Sequence, residues 1–137
     1  TMAELAEKYQ IDVLFPVHPR TAKQIESFHI QLHSGIKTIE PVGFLDMLQL
    51  ESGAKVILTD SGGIQEEACI LKTPCVTLRE NTERPEVVDV GASVLAGRDH
   101  DLILKSVSEM FDRDNNWQNP LGDGRSAENI YKVVSEK

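Results

Sequence analysis

Residues 54–85, AKVILTDSGGIQEEACILKTPCVTLRENTERP, leave the chain few folds to choose from. Val56-Ile57-Leu58 is a short, largely β-branched apolar run that reads as a buried strand, and Thr59-Asp60-Ser61-Gly62-Gly63 cannot continue it but suits a tight turn. Ile64, Ala68 and Leu71 then recur at helical spacing, so a helix starts at Ser61 or Gly62. A second apolar strand and a polar loop carrying an arginine complete the unit. A strand that feeds a helix through Ser-Gly-Gly turns unpaired N–H groups and the positive end of the helix dipole outward, which is where anions bind.

The rest of the chain repeats the alternation. Met2, Leu5, Ala6 and Tyr9 share one face of an N-terminal helix with no strand before it, as expected of a domain taken from the middle of a longer protein. Ile11–Val17 is a nearly continuous apolar run, predicting a strand covered on both faces. His18-Pro19-Arg20-Thr21 ends it, and Thr21 with Gln24 predicts a capping box for a helix through Phe28. A short strand at Lys37–Glu40 and a helix over Phe44–Leu50 follow. Past residue 85 come a short helix with Val87, Val88 and Val90, a strand at Ser93–Ala96, an amphipathic helix over Asp99–Phe111, a loop at Asn119–Gly124 and a closing helix with Ala127, Ile130, Tyr131 and Val134. Five strands alternating with helices predict an α/β fold with a parallel sheet, in which ligands bind beyond the carboxyl ends of the strands. His18, Arg20, Phe44, Ser61, Gly62, Arg79 and Arg84 all fall at or after those ends.

Charge narrows the ligand. With a net charge of -8 and no cluster of Lys and Arg, a nucleic-acid surface is not expected, so an anionic ligand has to be small and held locally. No apolar run approaches the roughly 18 residues of a membrane span, and the N-terminus does not read as a signal peptide, so the expectation is a soluble, cytoplasmic chain without a membrane partner. The two cysteines, Cys69 and Cys75, fall in different elements and read as small core residues. No metal or cofactor site is expected, and neither a nucleophilic triad nor a P-loop or dinucleotide fingerprint is present.

Among residue types with chemistry, the Ser61 hydroxyl and the Gly62-Gly63 backbone suit a phosphate or diphosphate. Of Glu66 and Glu67, one serves as a favourable charge near the helix start, while the other can reach the hydroxyls of a ribose. Arg84, in a loop after the next strand, can meet a phosphate with its guanidinium fork, or can equally pair with Glu83 or Glu86. His18, at a strand's end, is either structural or a phosphate donor and acid–base group.

Leu58-Thr59-Asp60-Ser61-Gly62-Gly63-Ile64-Gln65-Glu66-Glu67-Ala68 followed by Thr82-Glu83-Arg84-Pro85-Glu86 resembles the signature of the UDP-N-acetylglucosamine 2-epimerases, including the non-hydrolysing kind. Pro16-Val17-His18-Pro19-Arg20-Thr21 is similar to that family's histidine motif, and Asn119-Pro120-Leu121-Gly122-Asp123-Gly124 to its C-terminal loop. The resemblance covers the whole chain in order. It implies one half of a glycosyltransferase-B type fold: residues 1–137 as a single Rossmann-like, UDP-binding domain whose N-terminal partner domain is absent.

By that resemblance Ser61, Gly62 and Gly63 bind the diphosphate, Glu67 the ribose and Arg84 the phosphates. His18 is the catalytic group on the diphosphate side of the reacting centre. Met47 stands where the family places an aromatic partner for uracil; a thioether covers a base face but stacks less well, and Phe44 is a second candidate. The implied reaction inverts C2 of the sugar by eliminating UDP and adding it back, interconverting UDP-N-acetylglucosamine and UDP-N-acetylmannosamine. A hydrolysing epimerase, the equivalent half of a glycosyltransferase, or a non-catalytic nucleotide-binding module are the alternatives. The family's tendency to dimerise implies a homodimer.

Overall fold

A computed structural model of the chain describes residues 1–135. It resolves into two compact units, one ending at Leu50 and the other beginning at Glu51.

The first unit holds α1 (Met2–Tyr9), β1 (Val13–Pro16), α2 (Pro19–Ser27) and β2 (Ile36–Ile39), and the first turns of α3 (Phe44–Gly53), which runs into the second. β1 and β2 are parallel, from Val13 opposite Ile36 to Pro16 opposite Ile39. α1 packs on both strands and buries Leu5 and Ala6. A Cβ on Gly35 would come within 2.7 Å of the Ala6 Cβ, so the residue entering β2 has to be glycine for α1 to sit this close. β1 is shorter than the apolar run predicts, and Leu14 is 44% exposed.

The start of α2 also differs from expectation. The capping residue is His18, with Pro19 at the first helical position, and Thr21 lies inside the helix. Proline has no N–H to satisfy and its fixed φ suits a first turn, so Pro19 pulls the helix start forward past the Thr21 capping box.

The second unit contains β3 (Ile57–Thr59), α4 (Gly62–Leu71), β4 (Cys75–Thr77), α5 (Pro85–Asp89), β5 (Ser93–Leu95), α6 (His100–Phe111) and α7 (Ser126–Ser135). Its sheet has the order β3-β4-β5, all parallel, with Ile57 opposite Cys75 and Cys75 opposite Ser93. The central strand β4 is buried at every residue, as a parallel strand covered by crossover helices has to be. The Thr77 and Ser93 hydroxyls satisfy one another at 2.9 Å inside the sheet. α4 packs on β3 and β4, and α6 on β4 and β5, burying Ile103, Val107 and Met110. Asp99 caps α6, its carboxylate accepting the Leu102 N–H at 2.8 Å.

Both cysteines are free and buried, as expected, and burial pushes the Cys75 thiol up to about 11. Cys69 belongs to a cluster with Val87, Ala92 and Trp117, against which Val88, Val90 and Leu121 pack. No residue of α7 is buried. Among the described residues no helix is long and apolar enough to cross a membrane.

Candidate functional site

At the carboxyl end of β3 the chain turns through Asp60 into α4. Thr59 Oγ1 accepts the Ser61 N–H at 3.1 Å, and Ser61 Oγ in turn accepts the Ile64 N–H at 3.5 Å, so Ser61 is the N-cap of α4. Helix geometry gives the Gly62 and Gly63 N–H groups no intrahelical acceptor. They are the donors that this end of the helix offers to a ligand.

Nothing in the fold requires either glycine. Neither has a positive φ, and a Cβ on Gly62 or Gly63 would meet no atom closer than 3.9 Å and 3.8 Å. Two glycines at a helix start cost stability relative to alanine, so their use here points to something that approaches the backbone from outside.

The loop after β4 faces this turn. The Arg79 guanidinium grips the Glu83 carboxylate through two bonds of 3.0 and 2.9 Å, which holds that carboxyl below its ordinary range. Glu83 Oε2 lies within 3.9 Å of where a Gly62 Cβ would sit, so a carboxylate already stands near the start of α4. Asp60, Leu78, Arg79, Glu80, Asn81 and Arg98 line an open cavity of about 540 Å³ beyond the strand ends.

Arg84 is turned back to α4. Its Nε donates to the Glu66 carboxylate, and its Nη1 donates to the Glu83 carbonyl at 3.0 Å. The ion pairs weighed from sequence, with the Glu83 or Glu86 carboxylate, are not the ones formed. Spacing along the chain favoured neighbours, whereas the loop folds back across 18 positions to Glu66. That separates the two glutamates: Glu66 orients the arginine.

Glu67 has a different neighbour. Glu51, in the last turn of α3, is only 2% exposed, and neither carboxyl oxygen meets the geometry of an ordinary hydrogen bond. Burial first, then the charge and hydrogen bonding of Glu67, push its pKa from 4.5 to about 7. Sequence reading missed Glu51, because a glutamate in a helical run reads as solvated surface.

The linkage has a definite sign. A carboxyl that keeps its proton to about pH 7 when folded but loses it near 4.5 when unfolded weakens the fold progressively across that interval. Glu51→Gln is therefore expected to be about 1–3 kcal/mol more stable than the parent above about pH 8, with the gain shrinking toward zero near pH 5. Urea unfolding at the two pH values checks it; an equal difference at both would contradict the assignment.

The first unit carries three further sequence-derived candidates, His18, Met47 and Phe44. His18 is exposed at the start of α2; its Nδ1 accepts the Arg20 N–H at 3.2 Å, which leaves the proton of the neutral ring on Nε2, a donor. Met47 is half-buried in α3, and Phe44, in the first turn of the same helix, is 66% exposed.

Residues 1–135 match the family model described as UDP-N-acetylglucosamine 2-epimerase. The chain is 48% identical over 136 residues to the UDP-N-acetylglucosamine 2-epimerase of Methanocaldococcus jannaschii, covering 96% of this chain and 37% of that protein. It is 50% identical over 134 residues to the enzyme of the same name from Methanococcus maripaludis, covering 95% and 37%. Among solved structures, the M. jannaschii UDP-GlcNAc 2-epimerase in complex with UDP-GlcNAc and UDP superposes with a TM-score of 0.88 at 48% identity, over 98% of this chain and 38% of that one. The chain thus spans a little over a third of the length of these relatives.

Proposed function

Since the chain belongs to the UDP-N-acetylglucosamine 2-epimerase family, we propose that it is the UDP-binding half of such an enzyme, one half of a glycosyltransferase-B type fold. The observation that carries this reading is the pair of glycines at the start of α4, whose absent side chains no neighbouring atom and no backbone angle demands. In the proposed complex the diphosphate lies on the Gly62 and Gly63 N–H groups and the Ser61 hydroxyl, with the dipole of α4 behind them. Arg84 adds its guanidinium from the side, oriented by Glu66. Glu67 accepts from the ribose hydroxyls, and Met47, aided by Phe44, covers the uracil. His18 donates from Nε2 on the diphosphate side of the reacting centre.

The reaction proposed for the whole enzyme is epimerisation at C2 of UDP-N-acetylglucosamine to UDP-N-acetylmannosamine. UDP leaves as the C2 proton is taken and returns as a proton is delivered to the other face. Backbone donors and a guanidinium stabilise the departing diphosphate, which is what this half supplies. The base at C2 belongs to a partner domain, so the 137-residue chain binds UDP but is inert alone. A homodimer, a cytoplasmic location and a role in supplying cell-surface polysaccharide belong to the same proposal.

Calorimetry on the 137-residue chain with UDP, UMP and ADP tests it. UDP is expected to bind best of the three; the absence of any preference for UDP would overturn the reading. The same chain is expected to give no measurable conversion of UDP-N-acetylglucosamine, whereas robust turnover free of full-length enzyme would contradict the division of labour.

A further inference from the structure

Gln65 is a polar side chain with 0% exposure, on the first turns of α4. Burying a primary amide costs free energy unless its donors and acceptor are engaged. Here both ends are: Nε2 donates to the Ser61 carbonyl at 3.3 Å, and Oε1 accepts the Thr82 hydroxyl at 2.6 Å. Thr82 Oγ1 then accepts the Arg84 N–H at 3.0 Å. The bonds run in one direction, from Arg84 N–H to Thr82 hydroxyl to Gln65 amide to Ser61 carbonyl, and each group acts in the only sense left to it.

The two segments joined are those that carry the candidate diphosphate contacts. Arg84 stands at the start of α5 in a non-helical conformation, with no side-chain cap of its own. Its backbone is held through Thr82 and Gln65, and its guanidinium by Glu66, the next residue of α4. One helix therefore fixes both ends of the arginine relative to the Ser-Gly-Gly turn.

We propose that Gln65 and Thr82 are positioning residues for a nucleoside diphosphate: their hydrogen-bond relay sets the spacing between the start of α4 and Arg84 so that two phosphates are met at once. This rests on the UDP-binding reading above and adds to it the requirement for a diphosphate. A ligand with a single phosphate needs only one of the two contacts, so it is insensitive to their spacing.

The test compares UDP with UMP by calorimetry on the 137-residue chain carrying Thr82→Val, Thr82→Ser or Gln65→Met. Thr82→Val removes the hydroxyl from a half-buried position, Thr82→Ser keeps it, and Gln65→Met keeps the length of the side chain without a charge but loses both of its hydrogen bonds. The valine and methionine variants are expected to bind UDP about tenfold more weakly with UMP affinity within about twofold of the parent, and the serine variant to recover UDP affinity to within about threefold. Equal losses for UDP and UMP, or no loss for either, would overturn the relay. Failure of the unsubstituted chain to bind UDP would instead strike the reading on which it rests.

Discussion

Gly62→Ala combined with Gly63→Ala is expected to leave the fold as stable as before, or more so by about 0.5–1 kcal/mol, while weakening UDP binding by about 100-fold. The two effects come from separate facts. For the fold, each added methyl enters space where the nearest atoms are 3.9 Å and 3.8 Å away, in ordinary contact, and alanine is the better helix former. For the ligand, the methyls stand where a phosphate has to come against the N–H groups, and hydrogen bonds to a charged group are each worth about 1.5–3 kcal/mol. Thermal unfolding and UDP calorimetry on the same variant read the two together. A variant that lost stability and kept its affinity would show that the glycines serve the fold, and the diphosphate cradle would have to be placed elsewhere.

The largest loss of stability is expected at Trp117. It lies in the irregular segment between α6 and α7, yet it is 7% exposed and packs into the cluster formed by Cys69, Val87 and Ala92. Its indole N–H donates to the Cys69 carbonyl at 3.0 Å, and Lys72, just past the end of α4, sets its ammonium over the ring at 5.5 Å and donates to the Trp117 carbonyl. One side chain thus fastens a loop to α4 and closes the floor of the second unit's core. Trp117→Ala removes the ring and leaves a cavity among Cys69, Val87 and Ala92. The expected cost is about 3–5 kcal/mol, with Trp117→Phe losing less because most of the buried area is retained. Chemical unfolding followed by far-ultraviolet circular dichroism measures both, since the tryptophan is the only one in the chain and its fluorescence is lost with it. A loss below about 1 kcal/mol for the alanine variant would mean that the loop is held by other contacts.

What could be read beforehand, and what could not, follows from how far each signal reaches along the chain. The strands and helices of residues 54–111 come from apolar periodicity and turn residues a few positions apart, and the structure places them within one or two residues of expectation. The helix start at Ser61-Gly62-Gly63 is equally local. Trp117, in contrast, sits in a polar run, Asp-Arg-Asp-Asn-Asn-Trp-Gln-Asn-Pro, where nothing nearby marks it as core; its partner Cys69 is 48 positions away. Glu51 is a second case, an acid in a helical run that the structure buries to 2% exposure, near Glu67 of α4. The pairing of Arg84 with Glu66 rather than a neighbouring carboxylate, and the Gln65–Thr82 bond, both depend on a loop folding back on a helix. The signature that suggested the family spans these same residues. It told that they belong together without telling which of them touch.

The reading turns on whether a diphosphate rests on the first turn of α4. Titrating the isotopically labelled 137-residue chain with UDP while following its amide resonances addresses that directly. The account predicts that the Gly62 and Gly63 N–H signals shift most, that the Arg84 side-chain Nε–H moves with them, and that all three saturate together. UDP binding that saturates while those three signals stay in place would contradict it.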